Sequence, residues 1–152
     1  MGAVVDRLAE LGLEVPEVAK PVAAYVPAVR SGNHVYTSGQ LPVRGGELLV
    51  TGKVGGEVAP EEAVECARQC ALNAIAAVQA EIGDLDQVKR VVKVVAFVAS
   101  TPDFTGQPQV ANGASELIGH AFGDAGVHAR SAVGVPVLPL DAPVEVEILV
   151  EV

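Results

Sequence analysis

Residues 129–152 have the sequence ARSAVGVPVLPLDAPVEVEILVEV. From Val144 to Val152 the side chains alternate: valines and an isoleucine lie on one face, and three glutamates and a leucine lie on the other. This is the period of a strand with one buried face. Ala129 to Val137 is a second extended run, and prolines frame a turn between the two runs. The sequence therefore predicts two C-terminal strands, the last of which buries one face in the core.

Two long helices are predicted upstream of these strands. Pro60-Glu61-Glu62 suits a first helical turn, because proline fits there and acids complement the helix dipole. Apolar residues then recur at helical spacing until Gly83. The second helix is predicted over Val110 to Phe122. A short helix is also predicted over Val4 to Leu11, which Gly12 ends.

The remaining segments favour strands. Gln87 to Ser100 is β-branched and almost continuously apolar, which indicates a central strand buried on both faces. Val22 to Arg30 and His34 to Ser38 predict a hairpin, and Arg44 to Gly56 predicts a glycine-rich loop with a short strand inside it. Together the elements predict one α+β domain over 1–152, with two long helices on one face of a mixed sheet and a helical extension at 1–19.

Composition limits the partners. The chain has 19 acids against 10 bases, a formal charge of −9 and a pI near 4.7, so its surface repels a phosphate backbone and nucleic acid is not expected. Half of the residues are hydrophobic, yet no apolar run is long enough to span a bilayer. The apolar surplus predicts a subunit interface instead. The first residues do not resemble a signal peptide, so a cytoplasmic location is expected.

The familiar catalytic and cofactor motifs are missing from the sequence. No phosphate-binding loop or dinucleotide-binding glycine pattern occurs, and Ser115 lacks the closing glycine of a nucleophile elbow. The absent glycine patterns disfavour nucleotide cofactors. The three histidines, His34, His120 and His128, have no paired ligand spacing, so a metal site is not expected. Cys66 and Cys70 lie one helical turn apart, which favours two buried thiols, with a redox or metal role as the alternative.

Arg130 and Glu145 are the candidate reactive pair. They lie on the two C-terminal strands, and hairpin pairing of those strands would bring them close together. A guanidinium there can bind a substrate carboxylate through two parallel hydrogen bonds, and a half-buried glutamate with a raised pKa can transfer a proton. The alternative is an ordinary cross-strand ion pair.

The sequence resembles the Rid family of reactive-intermediate deaminases, also called the YjgF family, in its longer-chain branch. The resemblance runs from about Tyr25 to the C-terminus. Its most specific stretches are Ala129-Arg130-Ser131-Ala132-Val133, Leu138-Pro139-Leu140-Asp141 and Val144-Glu145-Val146-Glu147. Supporting stretches are Tyr36 to Pro42, Arg68-Gln69 with Asn73, the strand Val91 to Val98, and Asp103-Phe104 ahead of Asn112.

The resemblance implies a fold like that of chorismate mutase: a six-stranded sheet, two helices on one face, and a homotrimer whose sheets form a central barrel. It also implies cofactor-free hydrolysis of enamines and imines, such as 2-aminoacrylate and 2-iminopropanoate, to ketoacid and ammonia. Arg130 would hold the substrate carboxylate. Glu145 would activate water, aided by the main-chain carbonyl of Ala132.

Four further positions match residues that line the family's pocket between neighbouring subunits: Tyr25, Ser38, Gly39 and Asn112. Each has a structural alternative, namely an amphipathic strand residue for Tyr25, a tight turn for Ser38-Gly39 and a helix N-cap for Asn112. His128 stands where proline commonly precedes Ala-Arg in the family. The segments 1–19 and 44–56 are longer than in short members and are candidates for covering the pocket.

Two other functions stay open from the sequence. A trimer that only binds a ketoacid or another small carboxylate would use Arg130 with little catalysis. A ribonuclease or translation inhibitor, a label attached to the family as endoribonuclease L-PSP, is opposed by the acidic balance and by the lack of a basic stripe.

Overall fold

The computed structural model describes residues 2–18 and 24–152. The helices are α1 (Ala3–Glu10), α2 (Pro60–Ile82) and α3 (Gln107–Phe122), with 3-10 turns at Leu85–Gln87, Gly123–Gly126 and Pro139–Asp141. The strands are β1 (Ala28–Ser31), β2 (His34–Thr37), β3 (Val43–Arg44), β4 (Glu47–Leu48), β5 (Arg90–Ala99), β6 (Ala129–Val135) and β7 (Val144–Glu151). All three predicted helices are confirmed.

The main sheet is mixed, with the strand order β1-β2-β7-β5-β6. β5 and β6 run parallel, and the other neighbours run antiparallel. In the part of the chain that is described, this sheet has five strands rather than the six that the resemblance implies. The reason is that β3 and β4 pair only with each other, as a small hairpin across Gly45 and Gly46, which both have positive φ.

The core lies between this sheet and the two long helices, which pack on the same face. The predicted alternation of the last strand is confirmed, because Val144, Val146, Ile148 and Val150 are all buried. β5 is central, but within one copy of the chain only one of its faces is fully buried, where both were predicted to be. Val91, Val94, Ala96 and Val98 are buried under the helices, whereas Val92, Val95 and Phe97 are only partly buried.

The N-terminal hairpin is confirmed in type but is shorter than predicted. Its first strand begins at Ala28, and residues 24–27 do not form a strand. The predicted start at Val22 lies outside the described residues. The two strands are joined at Gly32 and Asn33, and Gly32 takes a φ of 60°, which a glycine adopts without steric cost.

The extension before the hairpin contributes to the core. Val4 and Leu8 of α1 are buried, and the Asp86 carboxylate accepts hydrogen bonds from the backbone N–H groups of Ala3 and Val4. These bonds satisfy donors that the first helical turn leaves free, and they lower the pKa of Asp86. The Arg7 guanidinium donates to the Ala121 carbonyl, so α1 packs at the C-terminal end of α3. In the described residues no helix is both long and apolar enough to cross a membrane.

Both cysteines lie inside α2, as predicted for buried thiols. Cys66 and Cys70 are free and buried, and the Cys70 thiol donates to the carbonyl of Val144. Burial, followed by the charges of Glu62 and Glu65, raises the pKa of the Cys66 thiol to about 11. A thiol that stays protonated is a poor nucleophile, so this pair has a packing role.

Gly113 sets the distance between α2 and α3. A Cβ at this position would overlap the backbone carbonyl of Val64 on α2, which cannot move as a side-chain end can. We expect Gly113→Ala to lower the free energy of unfolding by about 3 kcal/mol, measured by urea denaturation. The control is Gly119→Ala on the same helix, where a Cβ meets nothing within 4 Å. That variant should gain up to about 1 kcal/mol. Equal midpoints for the two variants would contradict this close helix contact.

Candidate active site

The Arg130 guanidinium is held against α3. Arg130 pairs with buried Val94 of β5, so its side chain lies on the helix-covered face of the sheet. Its Nη1 donates to Asn112 Oδ1 at 2.8 Å and to Ser115 Oγ at 3.2 Å, and Nη2 donates to the Pro108 carbonyl at 3.3 Å. The three acceptors are four and three residues apart and form one face of the helix.

This arrangement brings two predicted site residues together, Arg130 and Asn112. The N-cap alternative for Asn112 is wrong, because α3 begins at Gln107 with Gly106 as its N-cap. Both hydrogens on Nη1 of Arg130 are engaged. Among the described residues, Nε–H and the second hydrogen on Nη2 have no partner. Nε and Nη2 form one edge of the planar guanidinium, and such an edge matches the two oxygens of a carboxylate.

Ala132 lies two residues beyond Arg130 on β6 and shares its face. The Val135 carbonyl accepts from the Ser100 N–H on the β5 side. Carbonyls along a parallel strand alternate in direction, so that of Ala132 points away from β5. Because β6 is the edge strand of the described sheet, the Ala132 carbonyl lies on a free edge.

Glu145 occupies the opposite face of the sheet. It pairs with Phe97 of β5 and is partly buried. Burial, and secondly the negative charge of Glu147, raise the pKa of the Glu145 carboxyl above its ordinary value. A Cβ on Gly39 would lie 2.7 Å from Cδ of Glu145, so glycine at that position makes room for the carboxylate. The structure therefore brings Gly39 and Glu145 together.

Ser38, at the end of β2, forms hydrogen bonds with the segment that follows Tyr25. Its hydroxyl donates to the Val26 carbonyl at 2.6 Å, and its N–H donates to the Pro27 carbonyl at 2.8 Å. Tyr25, next to Val26, is half exposed and lies in a bend, so the strand alternative for it is wrong. We call Tyr25, Ser38, Gly39 and Glu145 the glutamate cluster. We call Arg130, Asn112, Ser115 and Pro108 the arginine cluster.

The two clusters do not meet within one chain, and the predicted hairpin pairing of Arg130 and Glu145 is wrong. β5 lies between β6 and β7, and the two side chains lie on opposite faces of the sheet. The segment that connects β6 to β7 crosses the end of β5 instead of forming a hairpin. Val135 and Pro143 accept there from the N–H groups of Ser100 and Ala99. An Arg130–Glu145 ion pair inside one chain is therefore absent.

Sequence reasoning missed Ser115 and Pro108 as partners of Arg130. The available signal was the helical spacing of both residues from Asn112, which places all three on one face of α3. Ser115 was considered only as a nucleophile. In the described parts of the chain, no three histidine, cysteine, aspartate or glutamate side chains come close enough to hold a metal ion.

Comparison with known proteins assigns the chain to a family. The family described as "YjgF/chorismate mutase-like, putative endoribonuclease" matches residues 5–152. The chain therefore belongs to the YjgF/chorismate mutase-like family, and the α+β fold with a mixed sheet agrees with that assignment.

Two proteins and one solved structure are similar to this chain over nearly its whole length. The chain is 48% identical over 151 residues to protein TCP17 of Trypanosoma cruzi, covering 99% of this chain and 94% of that protein. It is 34% identical over 140 residues to a 2-iminobutanoate/2-iminopropanoate deaminase of Dermatophagoides farinae, covering 91% and 93%. A crystal structure of an Agrobacterium tumefaciens protein of unknown function superposes with a TM-score of 0.92 at 45% identity, covering 99% of this chain and 92% of that one.

Proposed function

We propose that the protein hydrolyses reactive enamines and imines of the 2-aminoacrylate and 2-iminopropanoate type to a ketoacid and ammonia. The observation that carries this proposal is the Arg130 guanidinium, which three acceptors on α3 hold with its Nε and Nη2 edge free for a carboxylate. A relative that is 34% identical is a deaminase of such imines, which supports the same substrate class.

In the proposed reaction Arg130 holds the substrate carboxylate and thereby fixes the position of the adjacent C=N carbon. Glu145, in its ionised form, takes a proton from water as the water oxygen bonds to that carbon. The proton then passes to the nitrogen, which gives a carbinolamine. Glu145 next carries the hydroxyl proton to the amino group as the C=O bond forms and the C–N bond breaks, and the ketoacid and ammonia leave. In this reaction the outward carbonyl of Ala132 accepts a hydrogen bond from the water or the amino group. Water is the only co-reactant.

A second copy of the chain completes the proposed site. Arg130 and Glu145 lie on opposite faces of one sheet, so the arginine cluster of one copy must meet the glutamate cluster of another. The sheet face that carries Glu145 also carries exposed apolar side chains, including Val29 at 52%, Tyr36 at 50% and Val133 at 45% exposure. Such a face is suited to an interface between subunits. We propose the homotrimer that the family resemblance implies, with its sites between copies.

The activity is tested by generating 2-iminopropanoate and 2-iminobutanoate in place with an amino-acid oxidase and following imine loss. We expect the native protein to accelerate the loss and to release ketoacid and ammonia in equal amounts. Binding of ketoacids without acceleration would favour a carboxylate-binding function. Cleavage of RNA by pure protein, abolished in Arg130→Ala, would favour the endoribonuclease description, which the charge of −9 opposes.

The shared site is tested by complementation. Arg130→Ala and Glu145→Gln are each expected to be inactive, but a mixture refolded together restores sites that pair an intact Arg130 with an intact Glu145. Random assembly of equal amounts should restore about a quarter of the native sites. Failure of the mixture to regain activity, with mixed oligomers confirmed by mass spectrometry, would show that Arg130 and Glu145 do not act together in a site between copies.

A further inference from the structure

His128 and Ser115 form a chain of hydrogen bonds that ends on Arg130. The His128 Nδ1 lies 2.6 Å from the Gly126 carbonyl oxygen, and its Nε2 lies 2.8 Å from Ser115 Oγ. Ser115 Oγ is in turn 3.2 Å from Nη1 of Arg130. The Ser115 and His128 contacts are partly buried, so they are partly shielded from competing water.

When His128 is neutral, the groups at the two ends of this chain fix the direction of each hydrogen bond in it. A carbonyl oxygen only accepts, so Nδ1 of His128 carries the ring proton and Nε2 is bare. A guanidinium only donates, so Ser115 Oγ accepts from Arg130. The Ser115 hydroxyl must therefore donate its own proton to Nε2 of His128.

The local sequence makes this contact possible. The 3-10 turn Gly123–Gly126 follows α3 directly and leads through Val127 to His128 and β6. Gly126 is buried, and a Cβ there would lie 2.6 Å from the Ile118 carbonyl on α3. Only glycine lets the chain pass that close to the helix, and this brings His128 back to Ser115.

We propose that His128 is a positioning residue for the carboxylate site, acting on Arg130 through Ser115. His128 fixes the hydroxyl of Ser115 so that a lone pair faces Nη1 of Arg130. Asn112 engages the other Nη1 hydrogen, so the guanidinium is held with its Nε and Nη2 edge toward the substrate. This inference rests on the proposed function and specifies how its substrate site is held.

The kinetic test compares variants along the chain. His128→Phe and Ser115→Ala should each raise the KM for 2-iminopropanoate and the Kd for pyruvate about tenfold, with kcat within about twofold of native. Ser115→Thr, which keeps the hydroxyl, and His128→Gln, which keeps an acceptor, should recover most of the affinity. The control is His120→Phe on α3, the helix that carries Ser115. Nε2 of His120 contacts the Arg7 carbonyl and Glu10 and has no contact with Arg130. Unchanged KM and Kd in His128→Phe would overturn the proposal.

A second measurement separates this inference from the proposed function. When His128 is neutral, nitrogen NMR of the native protein should show a protonated Nδ1 and a bare Nε2, and Ser115→Ala should perturb the Nε2 resonance. The opposite tautomer would overturn the positioning role whether or not the protein is an enzyme. A native protein with the expected tautomer that neither hydrolyses imines nor binds ketoacids would instead overturn the proposed function, and only the hydrogen-bond chain from His128 to Arg130 would stand.

Discussion

Arg130→Lys is expected to lower kcat/KM for 2-iminopropanoate by about 100-fold or more, because losing a charge-assisted bidentate contact removes roughly 3 kcal/mol of binding. The lysine keeps the charge but presents a single ammonium, which cannot bind both carboxylate oxygens in one plane. Its three N–H donors also cannot serve Asn112, Ser115 and Pro108 and the substrate carboxylate at the same time. Most of the loss should appear in KM, and steady-state kinetics with calorimetric pyruvate binding measure it.

The matched control is Arg30→Lys on β1, an exposed arginine whose Nε donates to the Gly32 carbonyl. The kcat and KM of Arg30→Lys should equal those of the native protein. Thermal unfolding of both variants checks that the fold is intact. If Arg130→Lys keeps kcat/KM within about threefold of native, with the change in pyruvate Kd equally small, the carboxylate is held by another group and the proposed site is wrong.

The elements of this fold could be predicted because their patterns are local. The alternation of β7 identifies its buried face from residue types alone, and the stripe of α2 from Pro60 to Ile82 does the same for a helix. Such a local pattern does not show which strands pair with each other in the sheet. β6 and β7 are consecutive in sequence, yet β5 separates them, and this was why the expected Arg130–Glu145 pairing failed.

The site was predictable to different degrees. The family resemblance pointed to Arg130, Asn112, Glu145 and Gly39 as residues of one pocket. The structure brings Arg130 together with Asn112, and Glu145 together with Gly39. The partition into two clusters on opposite faces depends on strand order and so was not visible in the sequence. The link from His128 to Ser115 depends on the path of the chain past Gly126, which no local pattern encodes.

Glu145→Gln is expected to lower kcat for 2-iminopropanoate by about 1000-fold, within the range that a positioned general base contributes. The amide keeps the size of the side chain and can still hydrogen-bond water, but it cannot accept the proton. The base works only in its ionised form, so the native rate should fall as the pH drops through the pKa of Glu145. Because burial and Glu147 raise that pKa, the fall should begin at a higher pH than for an exposed glutamate.

Glu147→Gln is the matched control, two residues along the same strand and on the same face. Glu147 is one of the two causes that raise the pKa of Glu145, so removing its charge lowers that pKa. The acid limb of the pH profile should therefore move to lower pH, while the plateau rate near neutral pH stays native. An unmoved acid limb in Glu147→Gln would show that a group other than Glu145 controls it. A Glu145→Gln variant with native kcat would remove Glu145 from the reaction and leave Arg130 as a binding site alone.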